Sequence, residues 1–323
     1  MSYLYIDNTG LESIEFIKNM PKLILFQAIY NNISDLTPFS VLNKPMTVYL
    51  DFNRIENIEP LRSLVGTDNT IGVLTLSNNM ISDISALDGI HFYKLGLNNN
   101  QIEDISALWG IGYEYSDTFV ITLHNNKIKD ISPLLNLGNT EGFVTLYNNK
   151  IEDISPLAEI YKKQGIGPDL LNLSNNEISD LSPLAELDFI GELDISNNKV
   201  SDISFLSEIQ LYSLYAANNQ IHDLSPLIEK ADESWTLDFM NNQVTSVAPL
   251  VALGRKGTSY SPNTLILAGN PLDEMALEED MAVLCETKSS QIYFGDGEVC
   301  DWMSADDYPV SGYNYPPIPF EGE

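Results

Sequence analysis

A single fourteen-residue pattern recurs along almost the whole chain, and a sequence built that way folds as a stack of coils instead of around one compact centre. It is clearest from Leu74 to Leu87 and reads L-x-L-x-x-N-x-I-x-D-I-x-x-L. The fixed asparagine falls at Asn31, Asn53, Asn79, Asn100, Asn126, Asn149, Asn176, Asn198, Asn219, Asn242 and Asn270, with Thr9 in its place in a degenerate first unit. Twelve units result, spaced 22, 22, 26, 21, 26, 23, 27, 22, 21, 23 and 28 residues apart. One such coil cannot bury its own apolar stripe, so stability has to come from stacking, and each end needs a cover.

Each position of the pattern has a physical reason. The L-x-L pair alternates as a strand does, turning both apolar side chains inward and the residue between them outward. The asparagine comes where the strand ends. Its amide carries both donors and an acceptor, so buried copies can satisfy backbone groups of their own and neighbouring coils as a ladder. The aspartate that follows (Asp35, Asp83, Asp104, Asp130, Asp153, Asp180, Asp202, Asp223, with Asn57 and Ser246 as substitutes) precedes a short Ile-Ser-Pro-Leu segment and can cap a helical turn. Proline at Pro38, Pro60, Pro133, Pro156, Pro183, Pro226 and Pro249 falls in the first turn after that cap, where its missing N–H costs little. The side opposite the strands is therefore expected to be short turns. After Asn270-Pro271, an acidic helix with Leu277, Met281 and Leu284 on one face and a strand over Ser290 to Phe294 are expected to cover the C-terminal end. The organisation expected is an array over 1–272, this cap over 273–295, and an acidic, Tyr- and Pro-rich tail over 296–323, extended or mobile.

Units such as Asn148 to Leu157 resemble the bacterial internalin-type leucine-rich repeat, and the resemblance covers about 290 of the 323 residues. It implies an α/β solenoid: a right-handed superhelix with a parallel β-sheet on its concave face, short 3-10 or irregular turns on its convex face, and a role in protein recognition. Unlike surface-exposed members, the sequence shows no signal peptide, no helical N-terminal cap, no immunoglobulin-like region and no wall-sorting tail.

Charge and cysteine content narrow the function classes. Sixteen Lys and Arg against 46 Asp and Glu give a formal net charge of -30, which repels phosphate backbones and anionic lipid, so neither nucleic acid nor a membrane is an expected partner. A protein partner with a basic surface is the better match, with solubility alone as the other reading of the charge. No run is long and apolar enough to span a bilayer and Met1 to Gly10 is no secretory signal, so a cytoplasmic address is favoured for the chain as written, or a secreted or cell-surface one if it is trimmed. The two cysteines, Cys285 and Cys300, are either a local staple or free thiols.

Outward positions of successive strands form columns about 4.8 Å apart from coil to coil. Among small polar residues on these columns stand Tyr30, Tyr49, Phe52, His124, Tyr147, Tyr215 and Met240, the candidates for contact with a partner, since exposed aromatics are the commonest anchors. A further column (Asn78, Asn99, Asn125, Asn148, Asn175, Asn197, Asn218, Asn241) is too uniform for recognition and reads as structural. Four long repeats place extra residues near Gly66 to Thr70, Gly110 to Asp117, Tyr161 to Pro168 and Gly254 to Asn263, a second contact rim or drift in loop length. His124 and Ser174 lie two coils apart, too far for a nucleophile and its base, and no phosphate loop, paired-His motif or calcium loop occurs. No enzyme, no cofactor and no metal site are expected. The expected function is a monomeric protein-binding module, with a surface adhesin or an acidic inhibitory or immunity-type protein as the alternatives.

Overall fold

The computed structural model describes residues 2–42, 44, 46–65, 70–109, 120–136, 143–165, 167–229, 236–255, 264–286 and 291–294. Each unit contributes one strand. Seven run in chain order in one parallel sheet: β1 (Tyr3–Tyr5), β2 (Leu25–Gln27), β3 (Thr47–Tyr49), β4 (Thr70–Thr75), β5 (His91–Gly96), β6 (Val120–Thr122) and β7 (Phe143–Thr145). Six form the next: β8 (Leu170–Asn172), β9 (Phe189–Asp194), β10 (Gln210–Tyr215), β11 (Thr236–Asp238), β12 (Thr264–Ile266) and β13 (Gln291–Tyr293). Every pairing is to the neighbouring unit and parallel, as an α/β solenoid requires.

The inward residues line up as columns of their own. Phe26, Val48, Leu74, Leu95, Ile121, Leu171, Leu193, Leu214 and Leu237 are buried on one, and Ala28, Leu50, Leu76, Leu97, Leu123, Leu146, Leu173, Ile195, Ala216 and Phe239 on the next. Behind them the isoleucine column (Ile33, Ile55, Ile81, Ile102, Ile128, Ile151, Ile178) closes a core that runs the length of the stack.

The ladder asparagines stitch the coils together. Asn53 accepts the Ile33 N–H of the preceding coil on Oδ1 at 3.0 Å and donates from Nδ2 to the carbonyls of Ala28 at 2.9 Å and Leu50 at 3.0 Å. The same arrangement recurs at Asn79, Asn100, Asn126, Asn149, Asn176, Asn198, Asn219 and Asn242. It continues where the strands do not. No strand pairing joins β7 to β8 among the described residues, yet Asn176 accepts the Ile151 N–H at 3.1 Å and donates to the Leu146 carbonyl at 3.2 Å.

Opposite the strands most units make a 3-10 turn of three to six residues, such as Glu59–Leu64 and Ser85–Leu87. The repeat carboxylate acts one residue earlier than a conventional N-cap. Asp83 Oδ1 accepts the Ser85 N–H at 2.8 Å, two residues on, while Ile84 between them supplies the cap backbone and buries its side chain. Asp35, Asp104, Asp130, Asp153, Asp180, Asp202 and Asp223 repeat the contact, as do Asn57 and, more loosely, Ser246 at 3.3 Å. Two units depart from short turns: α1 (Ser155–Gln164) and α2 (Ala248–Arg255) are α-helices. The first uses the length of a 27-residue repeat, so that Tyr161 to Gln164, expected as loop, are its last turn, closed by Gly165 at φ 69. Of the other long-repeat stretches, 66–69, 110–119 and 256–263 lie outside the described residues.

The C-terminal end differs from expectation in phase. A π-turn over Ala276–Asp280 precedes α3 (Met281–Glu286), and the extra residue in that turn shifts the inward face. Ala276, Met281 and Leu284 are buried, whereas Leu277 is 44% exposed. β13 then pairs with β12. Cys285 is disulfide-bonded. Cys300 and the 296–323 tail lie outside the described residues.

Candidate protein-binding face

Strand register fixes which outward side chains are neighbours. On the middle column Tyr5, Gln27, Tyr49, Thr75, Gly96, Thr122 and Thr145 stand side by side, and on the second sheet Asn172, Asp194, Tyr215, Asp238, Ile266 and Tyr293. Three residues further on, every coil turns through the left-handed region. Asparagine occupies that place at Asn8, Asn78, Asn99, Asn125, Asn148, Asn175, Asn197, Asn218 and Asn241, with φ between 52 and 59, and glycine does at Gly269. These are the residues that bear a positive φ most cheaply, which gives the uniform column its physical cause.

The two exceptions are Tyr30 and Phe52, both at φ 57. An aromatic residue held there costs of order 1–3 kcal/mol. The rings stack with centroids 4.1 Å apart and planes 20° from parallel, and they are 56% and 40% exposed. His124 and Tyr147 make a second stack, at 4.3 Å and 13°, half-buried on the column beside the middle one. Burial lowers the His124 pKa to about 4, so the ring is neutral at physiological pH, and its Nδ1 lies 2.7 Å from Thr145 Oγ1. Tyr215 stands between Asp194 and Asp238 on its column; burial and then the charge of Glu192 push its phenol above the ordinary range. Met240 follows in the next coil, half-buried, its N–H donated to Asp238 Oδ1 at 2.9 Å. Tyr49 is half-buried between Gln27 and Thr75. The seven candidates thus form two stacked pairs and three single positions, spread from the second unit to the eleventh.

Carboxylates thread between them. Asp51 accepts the Ser77 N–H at 2.7 Å and the Thr75 hydroxyl, Asp194 accepts the Ser196 N–H at 2.9 Å, and Asp7 accepts the Ile29 N–H at 2.8 Å and Gln27 Nε2 at 2.5 Å. Burial raises the pKa of Asp51, Asp194 and Asp238 despite these bonds, and Asp194 adds to the rise at Asp238, which is only 2% exposed. Their negative form is under-compensated. Among the described residues no group of three or more His, Cys, Asp or Glu is placed to hold a metal ion, and no helix is long and apolar enough to cross a membrane.

Sequence reasoning missed four tyrosines. Tyr3 and Tyr5, 57% and 60% exposed, extend the face at its N-terminal edge; their unit is degenerate, so the repeat template does not reach its outward column. Tyr93 and Tyr212 are also exposed, on strands of six residues. The L-x-L template covers only the C-terminal part of such strands. A usable signal was present all the same: each of the latter two tyrosines lies beside a glycine of the preceding coil, Gly72 or Gly191, and a Cβ on Gly191 would come within 2.3 Å of the Asp169 carbonyl oxygen.

No protein-family model matches the chain, and no curated protein matches it. Solved structures do. An internalin (InlF) of Listeria monocytogenes is 28% identical over 91% of this chain and 80% of that one, with a TM-score of 0.69. An internalin C2 of the same organism is 32% identical over 60% of this chain and 80% of that one, with a TM-score of 0.49. A leucine-rich-repeat protein of Leptospira interrogans shares the fold at 17% identity over 91% of this chain and 84% of that one, with a TM-score of 0.59.

Proposed function

Because this chain belongs to the internalin-type leucine-rich-repeat proteins, we propose that it is a non-enzymatic module that holds a protein partner against the concave face of its sheet. One observation carries the reading: most of the aromatic side chains that break the repeat and reach the surface stand on the strand side, Tyr3, Tyr5, Tyr30, Phe52, Tyr93 and Tyr212 against Phe16 and Trp109 on the turns, whereas the core, the ladder asparagines and the capping aspartates hardly vary from coil to coil. A surface that recognises one irregular partner has to vary along its length, and scaffolding does not. The chemistry of the face favours a basic partner. Asp51, Asp194 and Asp238 bear negative charge that burial disfavours, and a cation brought against them relieves that cost while a net charge of -30 speeds the encounter.

The test is capture of the cognate protein on immobilised full-length chain, quantified for wild type and for Tyr147→Ala and Tyr215→Ala. Each substitution is expected to weaken binding by about tenfold or more, the effect of an anchor worth over about 1.4 kcal/mol. Unchanged affinity in both variants, with unchanged melting temperature, would refute the concave-face reading.

A further inference from the structure

We propose that Tyr30 and Phe52, with Asp7 and Asp51 on the neighbouring positions, form a subsite for an arginine side chain on an extended segment of the protein partner. The proposal rests on the concave-face reading and names the chemistry of one part of that face.

The first support is the choice of residue against the backbone. Nine units place asparagine and one places glycine in the left-handed turn, and only the second and third units place large rings there. Nothing in the core repays the choice, since both rings are exposed and contribute no buried area comparable to Phe26 or Phe39 beneath them. What the turn achieves is placement. Two near-parallel rings stand fixed on the rim of the sheet, and the far face of Tyr30 looks along the column toward the first unit, where the equivalent residue is the smaller Asn8.

The second support is charge. Asp7 belongs to that first unit and is exposed, and the bonds from the Ile29 N–H and Gln27 Nε2 hold its carboxylate in place over the second coil. Asp51 precedes Phe52 and is held by Ser77 and Thr75. An ionised carboxylate has about four lone-pair sites, and the exposed Asp7 uses two of them, which leaves room there for a donor pair, while the more heavily bonded Asp51 adds its charge. Strands β1, β2 and β3 carry no basic residue, and the first cation after them, Arg54, lies in the turn past the ladder asparagine. A flat ring face beside an acceptor-only group suits guanidinium in particular. Guanidinium stacks on aromatics and donates to a carboxylate through two parallel N–H groups, whereas a lysine ammonium is a compact, strongly hydrated point charge.

The probe is blocked tetra-arginine, with tetra-lysine for comparison, titrated calorimetrically into the full chain at about 0.15 M salt to damp the long-range field. Wild type is expected to bind tetra-arginine about tenfold more tightly than tetra-lysine, and Tyr30→Asn/Phe52→Asn to lose that preference. The double variant installs the residue that most units already use in this turn, so its melting temperature is expected to hold or rise, which separates loss of the subsite from loss of the fold. Equal tetra-arginine affinity in wild type and the double variant overturns the proposal. If Tyr147→Ala/Tyr215→Ala lowers the affinity and Tyr30→Asn/Phe52→Asn does not, the subsite is refuted while the concave-face reading stands. If neither pair changes it, general surface charge holds the peptide and the subsite is equally refuted.

Discussion

A single side-chain amide closes each coil onto the one before it. Asn149 accepts the Ile128 N–H at 3.0 Å and donates to the carbonyls of Leu123 at 3.1 Å and Leu146 at 3.0 Å, all in the dry interior. Replacing it with alanine strands at least two backbone groups that water cannot reach, at about 1–3 kcal/mol each. Asn149→Ala is therefore expected to lower the unfolding free energy by about 2–5 kcal/mol, measured by urea denaturation. The adjacent Asn148→Ala, at an exposed position where the asparagine bears a positive φ and donates to Asn125 Oδ1, should cost less, about 1–2 kcal/mol. The ladder asparagine was readable from sequence because its chemistry explains a fixed place between strand and turn. The uniformity of the neighbouring column was readable too, but its cause was not: a positive φ leaves no mark on residue order unless every occupant is glycine or asparagine. Tyr30 and Phe52 were therefore noticed as aromatic and overlooked as strained.

At the scale of the element, the turns opposite the sheet obey the aspartate and the proline, but their length does not simply follow the spacing, since the 26 residues from Asn100 to Asn126 hold only the three-residue turn Ser106–Leu108. The 27-residue seventh unit has room for ten residues of helix and a glycine to end it; the 21-residue spacing from Asn79 to Asn100 contains a three-residue 3-10 turn, Ser85–Leu87. Sequence spacing gave the place of each turn but not its helical type, because the same Ser-Pro-Leu opening serves both forms. The C-terminal cover shows what a periodicity argument misses. Ideal α-helical spacing put Leu277, Met281 and Leu284 on one face, and the π-turn over Ala276–Asp280 moves Ala276 inward instead. Met281→Ala removes a fully covered side chain and is expected to destabilise the chain by about 2–5 kcal/mol, whereas Leu277→Ala should stay within about 0.5 kcal/mol of wild type. Thermal melts of the two variants check both values; an equal loss in each would restore the uninterrupted helix.

Across the whole molecule the stack was the most legible feature, because one pattern repeated from end to end leaves little freedom of topology. The interruption of the strand ladder between β7 and β8 was not legible, since the pattern on either side is intact and the ladder asparagines bridge it. Nor did sequence show that the aromatic side chains pair, as column membership specifies neighbours but not ring orientation. The claim that the strand side of the stacked coils is the contact surface is open to a direct measurement: hydroxyl-radical footprinting of the full chain, alone and saturated with its captured partner. Protection is expected at Tyr30, Phe52, Tyr147 and Tyr215 with Trp109 and Leu277 unchanged, and protection concentrated at Trp109 and the turns while those four stay reactive would contradict it.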